Sequence, residues 1–291
     1  MSTPSLSLSA LPVRRLTPRD TTLCSDLSQD RDWPREDHKW GHLLTAGRGY
    51  GIDAPDGEGL AAACVVTSYG PPGRPDLQAI GMVLVAERYS RRGLGRRLMR
   101  YVLEEAGSTP LTLHATAKGR PLYEELGFTA VGQVNTVRGT FVAAGPTPRV
   151  STRPATGEDL STILRLDGEV FGSDRTHVVT RLPAFTDRLR VAEDNGRIIG
   201  YAGIWPNTDT DVIGPLIARD TKTAQALITS LAAGAVRPLR IDVDVRHEEL
   251  LAWLRAQGLT LALTNAVMIY GLAALPGDWT RRFAPVTVAA A

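Results

Sequence analysis

Two glycines, Gly93 and Gly95, stand where a short apolar run gives way to a helical pattern. The run from Ile80 to Ala86 is too short for a helix and is bounded by turn residues, so it predicts a buried strand. The apolar residues after the turn have the spacing of one helix face: Leu94, Leu98, Tyr101 and Val102. The first N–H groups of a helix lack partners and attract anions, and glycines let a ligand approach the backbone. The pattern therefore predicts a phosphate-binding turn.

The residues around this turn exclude two common phosphate-binding motifs. A dinucleotide fingerprint needs a third glycine where Leu98 stands, and a P-loop needs Gly-Lys-Ser/Thr where Gly95-Arg96-Arg97 stands. The stretch instead resembles the acyl-CoA-binding motif of the GCN5-related N-acetyltransferases, the GNAT family, which reads Gln/Arg-x-x-Gly-x-Gly/Ala after a strand. Ser90 occupies the position of the glutamine or arginine. Further along, the segment LYEELGF from Leu122 to Phe128 resembles the family's second signature, a short helix with a tyrosine that ends in Gly-Phe.

The resemblance implies a mixed α/β fold and the use of acetyl-CoA as a co-substrate, without a metal. In the family, the central strand splays from its neighbour, and its free backbone groups bind the pantetheine arm and polarise the thioester carbonyl. By resemblance, this role belongs to Val83, Leu84 and Val85. The residues that would wrap the pyrophosphate are Ser90, Arg91, Arg92, Gly93, Leu94 and Gly95.

Two residues are candidates for the acid and the base of acetyl transfer. Tyr123 matches the family's general acid, and a phenol of pKa about 10 stays protonated at neutral pH. The alternative is that the Tyr123 ring only packs on the strand. His114 is the candidate general base because it lies in a strand beside the central one and titrates near neutrality, although a core histidine with satisfied hydrogen bonds is the commoner role. Asp76 and Asp37 are weaker candidates, since exposed carboxylates are common.

Three further features of the first half have open interpretations. Family members often carry an asparagine in the segment that corresponds to residues 114–118, and this chain has none there. Trp33 and Trp40 could line an acceptor site, although core packing is the commoner reason for such a pair. Arg91 and Arg92 could contact the 3'-phosphate of the nucleotide as well as solvent. The arginines further along the helix are typical of a solvated face: Arg96 and Arg100.

Four short patterns of the first half recur, in the same order, in the second half. The first is Arg14-x-x-Thr17-x-x-Asp20, which has the form of a helix N-cap with an acidic partner and recurs as Arg153-x-x-Thr156-x-x-Asp159. The other matching segments are Ile80–Leu84 with Ile213–Ile217, Leu111–His114 with Leu239–Asp242, and Glu125–Phe128 with Ala256–Leu259. Repetition in order predicts two copies of one fold, here two tandem GNAT-like domains.

The chain is predicted to divide at a linker of small residues and proline. The predicted parts are a disordered lead (1–10), a catalytic GNAT domain (11–142), the linker (143–149), a degenerate GNAT-like domain (150–275) and a tail (276–291). In the first copy we predict strands over 50–53, 60–69, 80–86, 111–115 and 133–142, and helices over 17–44, broken near Pro34, over 96–105 and around Tyr123. In the second copy we predict helices over 159–170, 223–233 and 248–257, and strands over 190–193, 198–205, 212–217, 239–243 and 261–270.

The second copy lacks the residues that would bind and protonate CoA. The segment after its central strand has no Gly-x-Gly, and Asp220 would put a negative charge where pyrophosphate should lie. Leu254 stands at the place of Tyr123. We therefore expect a non-catalytic copy that either shapes the acceptor pocket or stands in for the second subunit of a dimer. Its sequence resembles the second domain of a bacterial tandem-GNAT group, and the chain is expected to be a monomeric pseudo-dimer or a homodimer.

Composition narrows the class of protein and of partner. A hydrophobic content of 43% and a charged content of 22% are typical of a soluble globular protein. The net charge of +2 is too small to imply a nucleic acid or a membrane as partner. Cys24 and Cys64 form no Cys-x-x-Cys pair and are typical of a reduced, cytoplasmic protein. The N-terminus has no basic region followed by an apolar core, so no signal peptide is expected.

The sequence predicts an N-acetyltransferase whose first copy moves an acetyl group from acetyl-CoA to a primary amine of a small molecule. Transfer would be direct, in a ternary complex of enzyme, acetyl-CoA and amine. The alternative is a non-catalytic sensor or scaffold that binds acyl-CoA. Ser90 and the missing asparagine favour the sensor, whereas Tyr123 favours the enzyme.

Overall fold

The computed structural model describes residue 8 and residues 11–145 and 149–290 of the chain. The predicted disordered lead, residues 1–10, therefore lies outside the described residues apart from Leu8, and the predicted linker lies partly outside them. Among the described residues, no helix combines the length and the apolar character needed to cross a membrane.

Each copy contains helices and strands in nearly the same order. The first copy comprises β1 (Arg14–Leu16), α1 (Thr21–Asp30), α2 (Asp37–Ala46), β2 (Arg48–Asp53), β3 (Leu60–Tyr69), β4 (Leu77–Val85), α3 (Leu94–Ala106), β5 (Leu111–Ala115), α4 (Arg120–Glu125) and β6 (Thr129–Gly139). The second comprises β7 (Ser151–Pro154), α5 (Leu160–Phe171), α6 (Thr176–Val179), α7 (Leu182–Phe185), β8 (Arg188–Asp194), β9 (Arg197–Pro206), β10 (Asp211–Ala218), α8 (Thr221–Ala232), β11 (Leu239–Asp244), α9 (Glu248–Ala256), β12 (Thr260–Tyr270) and β13 (Arg282–Ala284).

The predicted elements are present, and the differences lie mainly at their ends. The central strand β4 begins three residues before the predicted Ile80, at Leu77, and β6 lies over Thr129–Gly139 rather than 133–142. The short elements β1, β7, α6, α7 and β13 were not predicted. Helices and strands of three or four residues are too short for a periodic pattern to be recognised.

The two predicted N-caps form the same structure in both copies. The Asp20 carboxylate accepts a hydrogen bond from the Thr17 backbone N–H at 2.8 Å, and Asp159 accepts one from Thr156 at 2.7 Å. Both sites are complete capping boxes. The local repetition seen in the sequence is therefore a repetition in structure.

All strands belong to one mixed sheet, and the copies exchange a strand at its centre. The order is β1-β2-β3-β4-β5-β12-β6-β11-β10-β9-β8-β7, with β13 paired to β10. Strand β12 of the second copy pairs with β5 and β6 of the first, and β6 pairs with β11 of the second. Each copy's half of the sheet therefore contains a strand of the other copy. The mixed α/β class predicted for the chain is confirmed.

A shared apolar cluster joins the copies away from the sheet centre. Tyr69 and Ala79 of the first copy pack in one buried cluster with Phe171 and Trp205 of the second. The ring of His38, on α2, stacks on Phe185, on α7, with ring centroids 4.6 Å apart. Residues of both copies thus pack into one buried cluster.

Candidate active site

The central strand β4 separates from β5 halfway along its length. The two strands pair in parallel only from Gln78 with Leu111 to Ile80 with Leu113. On its other edge, β4 has a bulge opposite β3, at which Met82 adopts a positive φ of 53°. The predicted thioester-binding residues, 83–85, lie in the separated part. In the described part of the chain, no strand pairs with the β5-facing edge of these residues, so their backbone groups are available on that side.

The turn after β4 offers free backbone N–H groups. Arg91 and Gly93 both have positive φ, of 59° and 83°, and α3 begins immediately afterwards. The first helical hydrogen bond is donated by Arg97 to Gly93 at 3.0 Å. Among the described residues, the amides of 91–96 have no hydrogen-bond acceptor. A row of unpaired amides at the N-terminus of a 13-residue helix can bind anionic oxygens.

Gly95 lies where this helix meets the end of β4 and α4. A Cβ atom at Gly95 would lie 3.4 Å from Val85 Cγ2 and 3.5 Å from Leu122 Cδ2, which are ordinary contacts. The helix start, the separated strand end and the tyrosine-bearing helix α4 therefore meet at one point, although they are distant in sequence.

Tyr123 lies buried at this junction. Its exposed fraction is 8%, and its ring lies edge-on to Phe128 with centroids 6.1 Å apart. Burial, and to a smaller extent the neighbouring Cys64, raises the pKa of Tyr123 above its usual value. The phenol therefore keeps its proton at neutral pH, as a proton donor must.

His114 lies near the end of β5 with one ring nitrogen bound to the main chain. Nδ1 is 2.9 Å from the carbonyl oxygen of Val288, and because a carbonyl can only accept, Nδ1 carries the proton and Nε2 carries the lone pair. Burial lowers the pKa of His114 to about 4, so the ring is neutral at pH 7. One nitrogen therefore behaves as in a core histidine, and the other is free to accept a hydrogen bond.

A cavity of about 200 Å³, here called the acceptor pocket, lies beside His114. Its walls include Trp33 and Met82 of the first copy and Arg240, Leu263 and Asn265 of the second. Sequence reasoning identified only the first-copy residues Trp33 and His114. The second-copy residues have no local motif, and only the exchange of β12 brings Leu263 and Asn265 to the site.

The other acid–base and aromatic candidates lie elsewhere. Asp76 accepts a hydrogen bond from Ser173, and Asp37 pairs with Arg35 at 3.0 Å; neither lines the acceptor pocket. Trp40 is fully buried and donates to Ser28 Oγ at 2.9 Å, so it packs in the core. Of the two tryptophans, Trp33 lines the pocket and Trp40 belongs to the core.

The chain's last described residues, 282–290, are here called the C-terminal segment. They run from the cleft between β10 and β11 of the second copy to the cleft between β4 and β5 of the first. In the second copy β10 pairs with β11 only from Asp211 to Ile213, and β13 pairs with β10 at Leu216 and Ile217. The segment then crosses to the first copy, where Ala289 lies directly over Gly81. The cleft of the second copy is therefore filled by the chain itself.

The helix that follows β10 has a capped N-terminus. Asp220 Oδ1 accepts a hydrogen bond from the backbone N–H of Thr223 at 2.8 Å. A side chain of this chain thus takes the place of a bound anion at α8. The negative charge noted in the sequence has a structural role as a helix cap.

Comparisons with known proteins agree with this architecture. Two sequence models of a family described as Acetyltransferase (GNAT) domain match residues 72–142 and 163–284. An uncharacterised N-acetyltransferase of Bacillus subtilis, YitH, is 32% identical over 180 residues, which are 60% of this chain. The matched segment spans 63% of the length of that relative.

Two solved structures are similar over most of the chain. A provisionally assigned acetyltransferase of Pyrococcus horikoshii has a TM-score of 0.79 at 17% identity, over 100% of this chain and 99% of that one. A tandem GNAT protein from the clavulanic acid biosynthesis pathway has a TM-score of 0.62 at 14% identity, over 91% and 99%. At these identities the likeness concerns the fold.

Proposed function

Because the chain belongs to the GNAT acetyltransferases and holds two GNAT domains, we propose that its first copy transfers an acetyl group from acetyl-CoA to a primary amine of a small molecule. One observation carries the proposal. Among the described residues, only the first copy combines an open separation of its central strands with unpaired amides at the following helix and a buried tyrosine.

In the proposed reaction, acetyl-CoA and the amine reach the separated strands from opposite faces of the sheet. The amides of 91–96 bind the pyrophosphate, and the free edge of 83–85 binds the pantetheine arm and polarises the thioester carbonyl. The amine approaches from the acceptor pocket. Direct transfer in a ternary complex needs both substrates at once, and an opening between two strands allows contact without a covalent enzyme intermediate.

The chemical step forms one bond and breaks one bond. The amine nitrogen attacks the carbonyl carbon, the C–N bond forms, and the C–S bond of the thioester breaks. Tyr123 donates its proton to the departing thiolate. The proton lost by the amine passes to Nε2 of His114 or to water. The group that accepted it, directly or through water, then returns a proton to the phenolate of Tyr123. An alkylamine of pKa about 10.4 must first lose a proton, at a cost of about 4 to 5 kcal/mol at pH 7.

The second copy is proposed to bind no acyl-CoA. Its cleft is filled by β13, and the amides at the start of α8 are capped by Asp220. A filled cleft cannot admit pantetheine, and a carboxylate repels pyrophosphate. This supports one acetyl-CoA site per chain.

The rival function is an acyl-CoA sensor, which Ser90 and the missing asparagine favour. An assay of CoA release over a panel of small amines separates the two functions. We expect release with at least one amine, and Tyr123→Phe should lower kcat about 100-fold or more without changing the Kd for acetyl-CoA. The matched control is Tyr101→Phe, which removes a hydroxyl from α3 at a half-buried residue packed on Tyr50. A protein that binds acetyl-CoA but releases no CoA with any amine would be a sensor, and unchanged turnover in Tyr123→Phe would end its role as the acid.

A further inference from the structure

We propose that the second copy completes the acceptor pocket of the first, and that the completed pocket selects small primary amines with an uncharged, apolar body. This inference rests on the proposed function. The second copy would then be a specificity element of the active site, in addition to any role in stability.

Strand pairing brings residues of both copies to one face of the sheet. Val267 of β12 pairs with His114 of β5, and directly opposed residues of paired strands project to the same face. Asn265 and Leu263 lie two and four residues before Val267, so they project to that face as well. His114 and Asn265 are therefore diagonal neighbours across the two strands, one from each copy.

The hydrogen bonding of the buried Asn265 side chain is incomplete among the described residues. Its exposed fraction is 3%, it lines the acceptor pocket, and its Oδ1 has no hydrogen-bond partner among the described residues. Buried polar atoms are rarely left unpaired, because the lost hydration is not replaced. A carboxamide offers one acceptor and two donors, and together with the lone pair of His114 Nε2 it can bind the hydrogens of an amine.

The charged groups that line the pocket are already paired. Lys39 forms an ion pair with Glu36, and Glu36 also accepts a hydrogen bond from Asn207 at 3.2 Å. Arg240 binds both oxygens of Asp242 at 3.2 Å. A second charge on the acceptor would have to displace one of these pairs, which disfavours amino acids and polyamines.

The volume of the pocket and its apolar walls limit the size and the polarity of the group that carries the amine. The volume of about 200 Å³ is below the roughly 300 Å³ at which pockets for drug-sized ligands begin. Trp33, Met82, Leu263 and Val288 supply apolar surface. An alkyl or arylalkyl monoamine fits a small chamber with apolar walls and two free hydrogen-bonding groups, those of His114 and Asn265.

Two leucines of β12 provide a matched test. Leu263 and Leu261 are both exposed, at 45% and 61%, so replacement of either leaves the core intact. Leu263 pairs with Thr136 and Leu261 with Val137, and because neighbouring residues of β6 face opposite ways, only Leu263 lies on the face of the pocket. Leu263→Trp should lower kcat/KM for the amine about tenfold or more and leave the Kd of acetyl-CoA unchanged, whereas Leu261→Trp should change neither.

The amine panel tests the proposed class of acceptor. Phenethylamine and cyclohexylmethylamine should be acetylated with a kcat/KM about tenfold or more above that of spermidine, free lysine or a lysine-containing peptide. In Asn265→Ala, the KM for the preferred amine should rise while the KM for acetyl-CoA stays the same.

The possible results separate this inference from the proposed function. If the two leucine substitutions lower kcat/KM for the amine equally, or if neither lowers it, the shared pocket is wrong. The proposed acetyltransferase activity would still stand. A preference for spermidine, lysine or the peptide would overturn the proposed class of amine. Absence of CoA release with every amine would instead contradict the proposed function itself.

Discussion

Burial sets the protonation states of the two candidate acid–base residues. The pKa of Tyr123 is raised by burial and that of His114 is lowered to about 4 by burial, so both side chains are neutral at pH 7. A neutral phenol can donate a proton, and a neutral imidazole can accept one. Loss of hydration in the folded protein thus prepares the two residues for opposite roles.

The neutral state of His114 makes stability depend on pH. An unfolded histidine has a pKa of about 6.5, and the folded value is about 4. The unfolded chain therefore binds more protons between pH 6.5 and 4, so the free energy of unfolding falls as the pH falls through this window, by up to about 3 kcal/mol. The loss is complete below pH 4.

We expect His114→Asn to remove this contribution. The asparagine amide can still donate to the carbonyl of Val288 but does not titrate. Urea unfolding at pH values from 7 to 4 measures the effect, and the variant should lose less stability than the wild type. His42, whose pKa burial also lowers to about 4, contributes a slope in both proteins. Equal loss in the two would contradict a neutral, partly buried His114.

At the scale of secondary structure, the C-terminal segment packs directly on the backbone of β4 beside its bulge. A Cβ atom at Gly81 would lie 2.1 Å from the carbonyl oxygen of Ala289, closer than any real contact. The segment is further bound at Tyr69, whose hydroxyl donates to the carbonyl of Ala290. Gly81 is therefore required for the close approach of two backbones.

Gly81→Ala should lower the free energy of unfolding by about 1 to 3 kcal/mol, because the added methyl group must displace a packed backbone. Gly41→Ala is the matched control: nothing lies within 4 Å of a Cβ atom there, and alanine favours the interior of helix α2 by about 1 kcal/mol. Urea denaturation compares the two variants. Wild-type stability in Gly81→Ala would mean that the segment does not pack on β4.

The elements that carry motifs could be predicted from sequence, and the contacts between distant elements could not. Strand β4, the turn at Gly93 and helix α3 are coded by residues next to one another, so periodicity and glycine placement identify them. Strand β12 was also predicted, but its position beside β5 depends on pairing over more than a hundred residues. Asn265 was missed for this reason, since no local pattern indicates which strand neighbours it.

At the scale of the whole molecule, two copies of one fold have become unequal. They share one sheet, exchange β6 and β12 at its centre, and bury a common apolar cluster. The C-terminal segment makes the difference, because it fills the cleft of the second copy and borders the acceptor pocket of the first. In the proposed function, the first copy binds acetyl-CoA and the second completes its acceptor pocket.

Calorimetric titration of acetyl-CoA tests the central claim, which is that one of the two copies binds the co-substrate. The wild-type chain should bind one equivalent. Gly95→Glu should abolish binding, because it places a carboxylate at the second residue of α3, where the pyrophosphate is expected. Lys222→Glu, which places a glutamate at the second residue of α8, should bind as the wild type does. Two equivalents per chain, or binding that survives Gly95→Glu in a folded protein, would contradict the account.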